Sequence, residues 1–524
     1  MNPVELELLR TALSFVAEEM GVALKRSAYS PNIKERMDAS CALFDAAGGM
    51  LAQAEHIPVH LGSMPAAVDA VLRDFPGTLQ EGDQVILNDP YRGGTHLPDV
   101  TLIRPIFART RLVGFAANRA HHADIGGIAP GSMPADATRL EDEGLVLEPQ
   151  KVLDRGVERA AVLDRFRRET LNPRERLGDL RAQVAANELG ARRFLELATK
   201  HGIARLQSQE AELLDYAERR VRSAVQRLPR GRWAAEDFLE SASSRDREKV
   251  RIRAEVTIGG SGLTVDFEGT DRQVRGNINA PFAVTLSATY FVARCITDPD
   301  APRNAGAYRP IRVRSEEGLV VRPRSPAAVA AGNVETSQRI VDVLFLALST
   351  PLWDRAPAQS QGTMNNLTIG TAGRVPFSYY ETIAGGEGAL PFRPGMSGVH
   401  THMTNTRNTP IEALESAMPL RVEEYRLIPR SGGAGRFAGG DGVRRSLRFL
   451  GREGTASILS ERRSLRPRGL HGGEDGRPGR NVLVRGGRRR ALPAKVTLPL
   501  HRDDLVILET PGGGGWGSPR ESPE

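Results

Sequence analysis

The sequence predicts a mixed α/β (α+β) chain of several domains, with mixed sheets, a packed helical hairpin and a β-rich C-terminal region. Three observations point there. The chain has 524 residues, which at about 150 residues per domain gives roughly three to four units. Segments of helical period interleave with short alternating ones through the first 414 residues. Beyond residue 415, short strand patterns and Gly-rich turns take over, ending in Pro511-Gly512-Gly513-Gly514-Gly515-Trp516-Gly517. The expected units are an α/β domain over 1–170, a helical hairpin over 171–230, a second α/β domain over 231–414 and a Gly/Arg-rich β region over 415–524.

Each element has a local reason. Asn2 is an N-cap, Pro3 fits the first helical position, and Leu9, Leu13, Val16, Met20 and Leu24 recur at helical spacing to about Lys25. Short apolar runs at Cys41–Phe44 and Gln84–Leu87, bounded by Asp, Gly and Pro, read as strands. Val100–Phe107 and Leu112–Ala117 flank a four-residue connection and read as two more. Asn172-Pro173 starts a helix that runs to Lys200, His201-Gly202 stops it, and a second helix with Leu214, Ala217, Val221 and Val225 on one face ends at Pro229. Ile252, Ala254, Val256 and Ile258 alternate, turn through Gly259-Gly260-Ser261-Gly262, and return as Leu263, Val265 and Phe267, a β-hairpin. Helical patterns follow at Ala283–Ile296 and Thr336–Leu348.

Composition narrows the function. With 40% hydrophobic and 26% charged residues the chain buries a substantial core. No apolar run reaches 18 residues and the start lacks the pattern of a signal peptide, so a cytoplasmic protein without a membrane span is expected. Cys41 and Cys295 stand far apart, which leaves no disulfide framework and no cysteine metal knuckle. Cys41, among apolar neighbours, reads as a buried inert thiol. The formal charge of +7 is local: residues 421–500 carry 19 Arg and Lys against 7 Asp and Glu, and the remainder is net acidic. These cations are nearly all Arg, broken by Gly and Pro and without interleaved aromatics. Stacking platforms for bases are missing, and a solvated surface or a face for an acidic partner subunit is the expectation.

Candidate chemistry gathers in the first 130 residues. Asn88-Asp89-Pro90-Tyr91-Arg92-Gly93-Gly94-Thr95-His96-Leu97-Pro98-Asp99 is a strand end opening into a loop, with His96 and Asp99 three apart and two glycines to free the backbone. His121-His122-Ala123-Asp124 follows another strand, and Glu35-Arg36-Met37-Asp38 offers carboxylates. Two imidazoles with one or two carboxylates suit manganese, iron or zinc better than calcium or magnesium. His56 and His60 are four apart, but Pro58 between them argues against a helical ligand pair, and they read as structural. No Gly-x-x-x-x-Gly-Lys-Ser/Thr phosphate loop occurs, and Gly433-Ala434-Gly435-Arg436-Phe437-Ala438 has dinucleotide spacing without the helix that should follow.

These segments, with His56–Met64, Ala120–Gly127, Gly332-Asn333-Val334-Glu335-Thr336-Ser337-Gln338-Arg339, Gly362–Asn366 and Val399-His400-Thr401-His402-Met403-Thr404-Asn405-Thr406, carry a resemblance. The chain resembles, over nearly its entire length, the B-type subunit of ATP-dependent hydantoinases and oxoprolinases, to which the acetone carboxylase large subunit is related. The resemblance implies an A-type partner subunit of actin-like ATPase fold that binds ATP and phosphorylates a cyclic amide, and a B-type chain that completes hydrolysis. It implies a metal held by His96, Asp99 and His121, completed by a carboxylate from the 35–38 segment, Asp38 being favoured and Glu35 the alternative. His122 or Asp124, next to His121 in sequence, would serve as general base. An ATP-dependent carboxylase subunit and a non-catalytic scaffold are the rival expectations. One prediction needs the sequence alone: electrophoretic mobility of DNA and RNA at physiological salt stays unchanged by the chain, and tight, steeply salt-dependent retention would overturn it.

Overall fold

The computed structural model describes residues 2–55, 57–243, 248–373 and 375–519. The opening helix α1 (Pro3–Ser27) starts as the sequence dictates, the Asn2 side chain accepting from the Val4 amide at 3.0 Å. Seven strands then build the first sheet: β1 (Ala39–Asp45), β2 (Met50–Glu55), β3 (Gln84–Leu87), β4 (Asp99–Ala108), β5 (Arg111–His121), β6 (Gln150–Asp154) and β7 (Val157–Glu158). Their order is β2-β1-β5-β4-β3-β6-β7, and all neighbours are antiparallel. One face carries helix Pro173–His201, which packs along α1 and over β4 and β5. Its small residues make this possible: a Cβ on Gly190 would stand 2.3 Å from the Met20 sulfur. Phe194, fully buried between helix and sheet, fills that layer with Leu13, Leu43 and Val113. Helix Ile203–Gln226 follows through Gly202 and passes to the next layer.

The second sheet is β8 (Gly231–Leu239), β9 (Val250–Gly259), β10 (Gly262–Asp266) and β11 (Ile311–Arg314), in the order β11-β10-β9-β8. The predicted hairpin is there, Gly259 pairing with Gly262. Strand β9 alternates buried and half-buried residues along its length, the signature of a sheet covered on one face. Its cover is helix Ser337–Leu348, itself packed on helix Phe282–Ile296. The C-terminal strands form two sheets. β12 (Asn366–Thr371), β13 (Phe377–Glu381), β16 (Glu453–Leu459) and β19 (Lys495–His501) run in the order β13-β12-β16-β19. The other is β14 (Leu420–Leu427), β15 (Val443–Phe449), β20 (Leu505–Glu509), β17 (Arg480–Arg485) and β18 (Arg488–Leu492), in the order β14-β15-β20-β17-β18. Around them the Gly-rich segments stack backbone on backbone: a Cβ on Gly513 would meet the Glu387 carbonyl at 2.0 Å, and one on Gly386 the Gly440 carbonyl at 2.0 Å. Only glycine fits such an approach. Among the described residues, no helix is long and apolar enough to cross a membrane.

A buried ionic network ties the C-terminal strands to the second sheet. Asp237 at the end of β8 receives Arg339 at 3.1 Å, Arg462 at 2.8 Å and Gln359 at 2.9 Å on one carboxylate oxygen. Asp342 takes the same two guanidiniums at 3.0 and 2.7 Å. Arg339, Arg462 and both aspartates are at most 2% exposed. A buried pair of this kind contributes little net, but breaking it is costly, because the surviving charge stays in a medium that cannot solvate it. Asp237→Ala is therefore expected to destabilise the chain by about 3–5 kcal/mol in chemical denaturation, and an unchanged midpoint would contradict the network's role.

Candidate functional site

The site lies where three strands of the first sheet end side by side. The register pairs Asp99, first residue of β4, with His121, last of β5. On the other flank of β5, Ala120 pairs with Ala39, and the His121 amide donates to the Asp38 carbonyl at 3.0 Å. Asp38, His121 and Asp99 thus form one row across adjacent strands.

The loop of residues 88–98 brings His96 to that row. Asn88 closes the loop, its amide nitrogen donating to the carbonyls of Leu97 and Leu145 at 2.8 and 2.9 Å and its oxygen accepting from the Leu147 amide at 2.7 Å. Gly94 folds so tightly that a Cβ would meet the Asn88 carbonyl at 2.2 Å. From β5, the fully buried Arg119 donates to Thr101 Oγ1 at 2.7 Å, to the Gly93 carbonyl at 2.9 Å and to the Ser63 hydroxyl, which pins the loop from beneath. Burial pulls the Arg119 guanidinium down to about 10, against the opposing charge of Asp99.

His96 Nε2, His121 Nδ1 and Asp99 Oδ1 stand 3.1 Å from one another in all three directions. All three side chains are buried, at most 2% exposed. Among the described residues this is the one group of His, Cys, Asp and Glu side chains compact enough to hold a metal ion. Donors about 2.1 Å from a common cation lie about 3.0 Å apart when cis on an octahedron and about 3.4 Å apart on a tetrahedron, so the triangle fits a divalent transition metal. Two imidazole nitrogens turned toward each other and toward a carboxylate oxygen, all buried, are the donor set such an ion takes.

The surrounding groups hold these three side chains in place. The Asn333 side-chain amide lies 2.8 Å from His96 Nδ1; with its otherwise unpartnered oxygen turned to accept the Nδ1 proton, it leaves the Nε2 lone pair to the cluster. His121 stacks on Tyr380, ring centroids 4.6 Å apart, and Arg36 covers the other part of the Tyr380 ring at 4.7 Å. Asp99 Oδ2 accepts from the Thr95 hydroxyl at 2.5 Å and lies 3.4 Å from His60 Nε2, whose Nδ1 is 2.8 Å from Ser40 Oγ. Burial alone would raise the Asp99 carboxyl. The charge of His96 and the hydrogen bonds from His121, His60 and His96 overcome it and hold Asp99 well below the carboxylate range. His121 is lowered by burial, against the pull of Asp99 and Asp38. These shifts favour the unprotonated forms of Asp99 and His121 that a cation requires.

His96, Asp99 and His121 come together as the sequence predicts. Asp38 stays nearby, its carboxylate buried and its charge felt at His121 and Tyr380, but outside the compact group, and Glu35 is half-buried at the end of the short helix Pro31–Lys34, also outside it. The structure does not bring His122 and Asp124 to the cluster. Side chains alternate along a strand, so His122, following His121, faces the opposite side, its Nε2 2.9 Å from Gln183 Oε1 on helix Pro173–His201. Burial there lowers it to about 4. Asp124 spends its carboxylate on the amides of Gly126, Gly131 and Leu171, 2.8 to 3.0 Å away, and shapes the loop. Burial raises Asp124 despite those bonds. Sequence adjacency was the wrong guide to a base. Cys41 is buried as expected, its thiol pushed up to about 12 by burial. His60 supports Asp99, a role its spacing did not reveal, and His56 lies outside the described residues. Tyr380 and Asn333 were also missed as site residues; Asn333 lay inside a motif segment, whereas nothing in the local pattern marks Tyr380.

With fold and site in view, likeness to known proteins places the chain. A model of the hydantoinase B/oxoprolinase family matches residues 2–519, and the chain belongs to that family. It is 40% identical to 5-oxoprolinase 1 of Arabidopsis thaliana over 98% of its own length, spanning 42% of that longer protein. It is 33% identical to a protein of a Pseudomonas species named as the B-type subunit of a D-/L-hydantoinase, covering 99% of this chain and 91% of that one. The crystal structure of an ATP-dependent caprolactamase from Pseudomonas jessenii superposes with a TM-score of 0.92 at 28% identity, covering 100% of this chain and 92% of the other.

If the triangle holds a cation, His96→Ala lowers bound manganese, iron or zinc to background in elemental analysis while circular dichroism stays unchanged, because the ligand sits on a loop. Asn333→Ala, which frees the His96 ring, weakens metal affinity about 10- to 100-fold. Full metal content in His96→Ala would refute the site.

Proposed function

We propose that this chain completes the ATP-dependent opening of a cyclic amide, such as a hydantoin or 5-oxoproline, after an A-type ATPase partner has phosphorylated the substrate. The observation that carries this reading is the buried triangle of His96, Asp99 and His121 in a member of the hydantoinase B/oxoprolinase family. An unstrained amide is a poor electrophile, and phosphorylation of its oxygen supplies a leaving group. A divalent cation held by the triangle would supply Lewis acidity and lower the pKa of a nearby water toward about 7. The chain's own residues do the rest. Thr95 and His60 hydrogen-bond the Asp99 carboxylate, Asn333 orients His96, and the Tyr380 ring stacks on His121.

The missing phosphate loop agrees with this division of labour. Calorimetry of the isolated chain with ATP is expected to show no heat, and micromolar affinity would sink the division. The decisive experiment purifies the chain with an A-type ATPase subunit and measures ATP hydrolysis and ring opening over a panel of lactams and hydantoins. Both activities are expected to require both chains, and His96→Ala in the pair is expected to reduce ring opening at least about 100-fold. Ring opening by this chain alone without ATP, or turnover of ketones that depends on bicarbonate, would overturn the proposal.

A further inference from the structure

The two imidazoles of the cluster are held in different ways. His96 has the Asn333 side-chain amide 2.8 Å from its outer nitrogen, Nδ1. His121 has no such contact: its Nδ1 faces the cluster, and its Nε2 is buried without a hydrogen-bond partner among the described residues. A ligating histidine ordinarily has its second nitrogen bonded, which fixes the rotation of the ring. At His121 the face of the Tyr380 ring takes over that task, the two planes being 16° apart. Whatever fixes Tyr380 therefore fixes His121.

Tyr380 is anchored at both ends. Its carbonyl accepts from Arg36 at 2.9 Å, and its hydroxyl donates at 2.8 Å to Oδ1 of Asn366, the first residue of β12. Asn366 Nδ2 in turn donates to Glu335 Oε1 at 2.8 Å and to the Leu459 carbonyl at 2.9 Å. Glu335 Oε1 also accepts the Met364 amide at 3.1 Å. Tyr380, Asn366 and Glu335 are at most 2% exposed, so water does not compete for these bonds.

Glu335 and Asn333 belong to one element. Residues Gly332–Thr336 form a single π-helical turn that leads into helix Ser337–Leu348. Such turns are rare and recur at functional sites. Helical residues two apart do not face the same way, so Asn333 reaches the loop of the first sheet while Glu335 reaches β12. The turn has no room to shift: a Cβ on Gly332 would stand 1.8 Å from the Asn279 carbonyl oxygen, and the Thr336 hydroxyl donates to the Ile278 carbonyl.

We propose that this turn is a two-pronged clamp on the cluster, with Glu335 the positioning residue that sets the His121 ring through Asn366 and Tyr380, as Asn333 sets His96. The clamp rests on the cation-binding role given to the triangle in the function proposed above. Burial, with the charge of Glu461 adding to it, raises the Glu335 carboxyl to about 8, so a neutral Gln is a close replacement.

The test titrates zinc into the full chain against a chromophoric chelator and records the visible spectrum of the cobalt(II)-loaded chain, whose bands follow ligand geometry. Glu335→Ala, and Tyr380→Phe, which keeps the ring and removes only its hydroxyl, are each expected to weaken zinc about tenfold and to shift the cobalt bands. Glu335→Gln is expected to retain wild-type affinity and spectrum, because its amide oxygen accepts the same two N–H groups. A relay makes the losses non-additive, so the double variant Glu335→Ala/Tyr380→Phe should weaken zinc no further than either change alone. Circular dichroism checks folding, and if Glu335→Ala does not fold, Tyr380→Phe decides. Wild-type affinity and spectrum in Tyr380→Phe, a Glu335→Gln chain as impaired as Glu335→Ala, or additive losses in the double variant would each overturn the clamp and leave the triangle and the proposed function standing. A wild-type chain that binds neither ion would retire the metal role of the triangle and the clamp with it.

Discussion

A carboxylate removed from water must find its solvation in the protein, and around Asp99 the fold supplies it from four directions. Thr95 comes from the loop, His60 from the turn after β2, His96 from the same loop one residue later, and His121 from the neighbouring strand. Three different elements must be in register for these donors to converge. A slip of one residue between β4 and β5 would send His121 to the far side of the sheet, where His122 now sits. The loop glycines, the Asn88 closure and the buried Arg119 are best understood as the means by which that register is held against the cost of an interior charge.

The same logic recurs away from the site. Asp237 and Asp342 each pair with Arg339 and Arg462, residues far apart in the chain, so that second sheet, covering helix and C-terminal strands meet in one buried polar network. Such networks add little net stability. Undocking these layers would take these partners from all four groups. The placement of Tyr380 on β13 against His121 on β5 depends on that docking, which makes the distant network part of the site's support.

Much of this was legible in the sequence. Helix starts at Asn2-Pro3 and Asn172-Pro173, the β9–β10 hairpin and the strand at Gln84–Leu87 were visible because local chemistry, capping and alternation decide them. His96, Asp99 and His121 were visible as loop-borne groups at strand ends. His122 and Asp124 misled because proximity in sequence says nothing about which face of a strand a side chain takes once the strand runs through His121. Tyr380, Asn333 and the supporting role of His60 were hidden for the opposite reason: they reach the site through packing between elements far apart in the chain, and no local pattern records that.

The glycine stack of the C-terminal region has a thermodynamic consequence. Where Gly513 lies on Glu387 and Gly386 on Gly440, peptide groups meet peptide groups with no side chain between them. Melting such a region exposes mainly polar backbone, which lowers the heat capacity of unfolding where apolar exposure would raise it. Its contribution to the chain's stability is correspondingly little weakened by cold, while urea, which solvates peptide groups directly, acts on it with full force. Within one polypeptide, the helix-covered sheets answer to temperature and the glycine stack answers to the solvent.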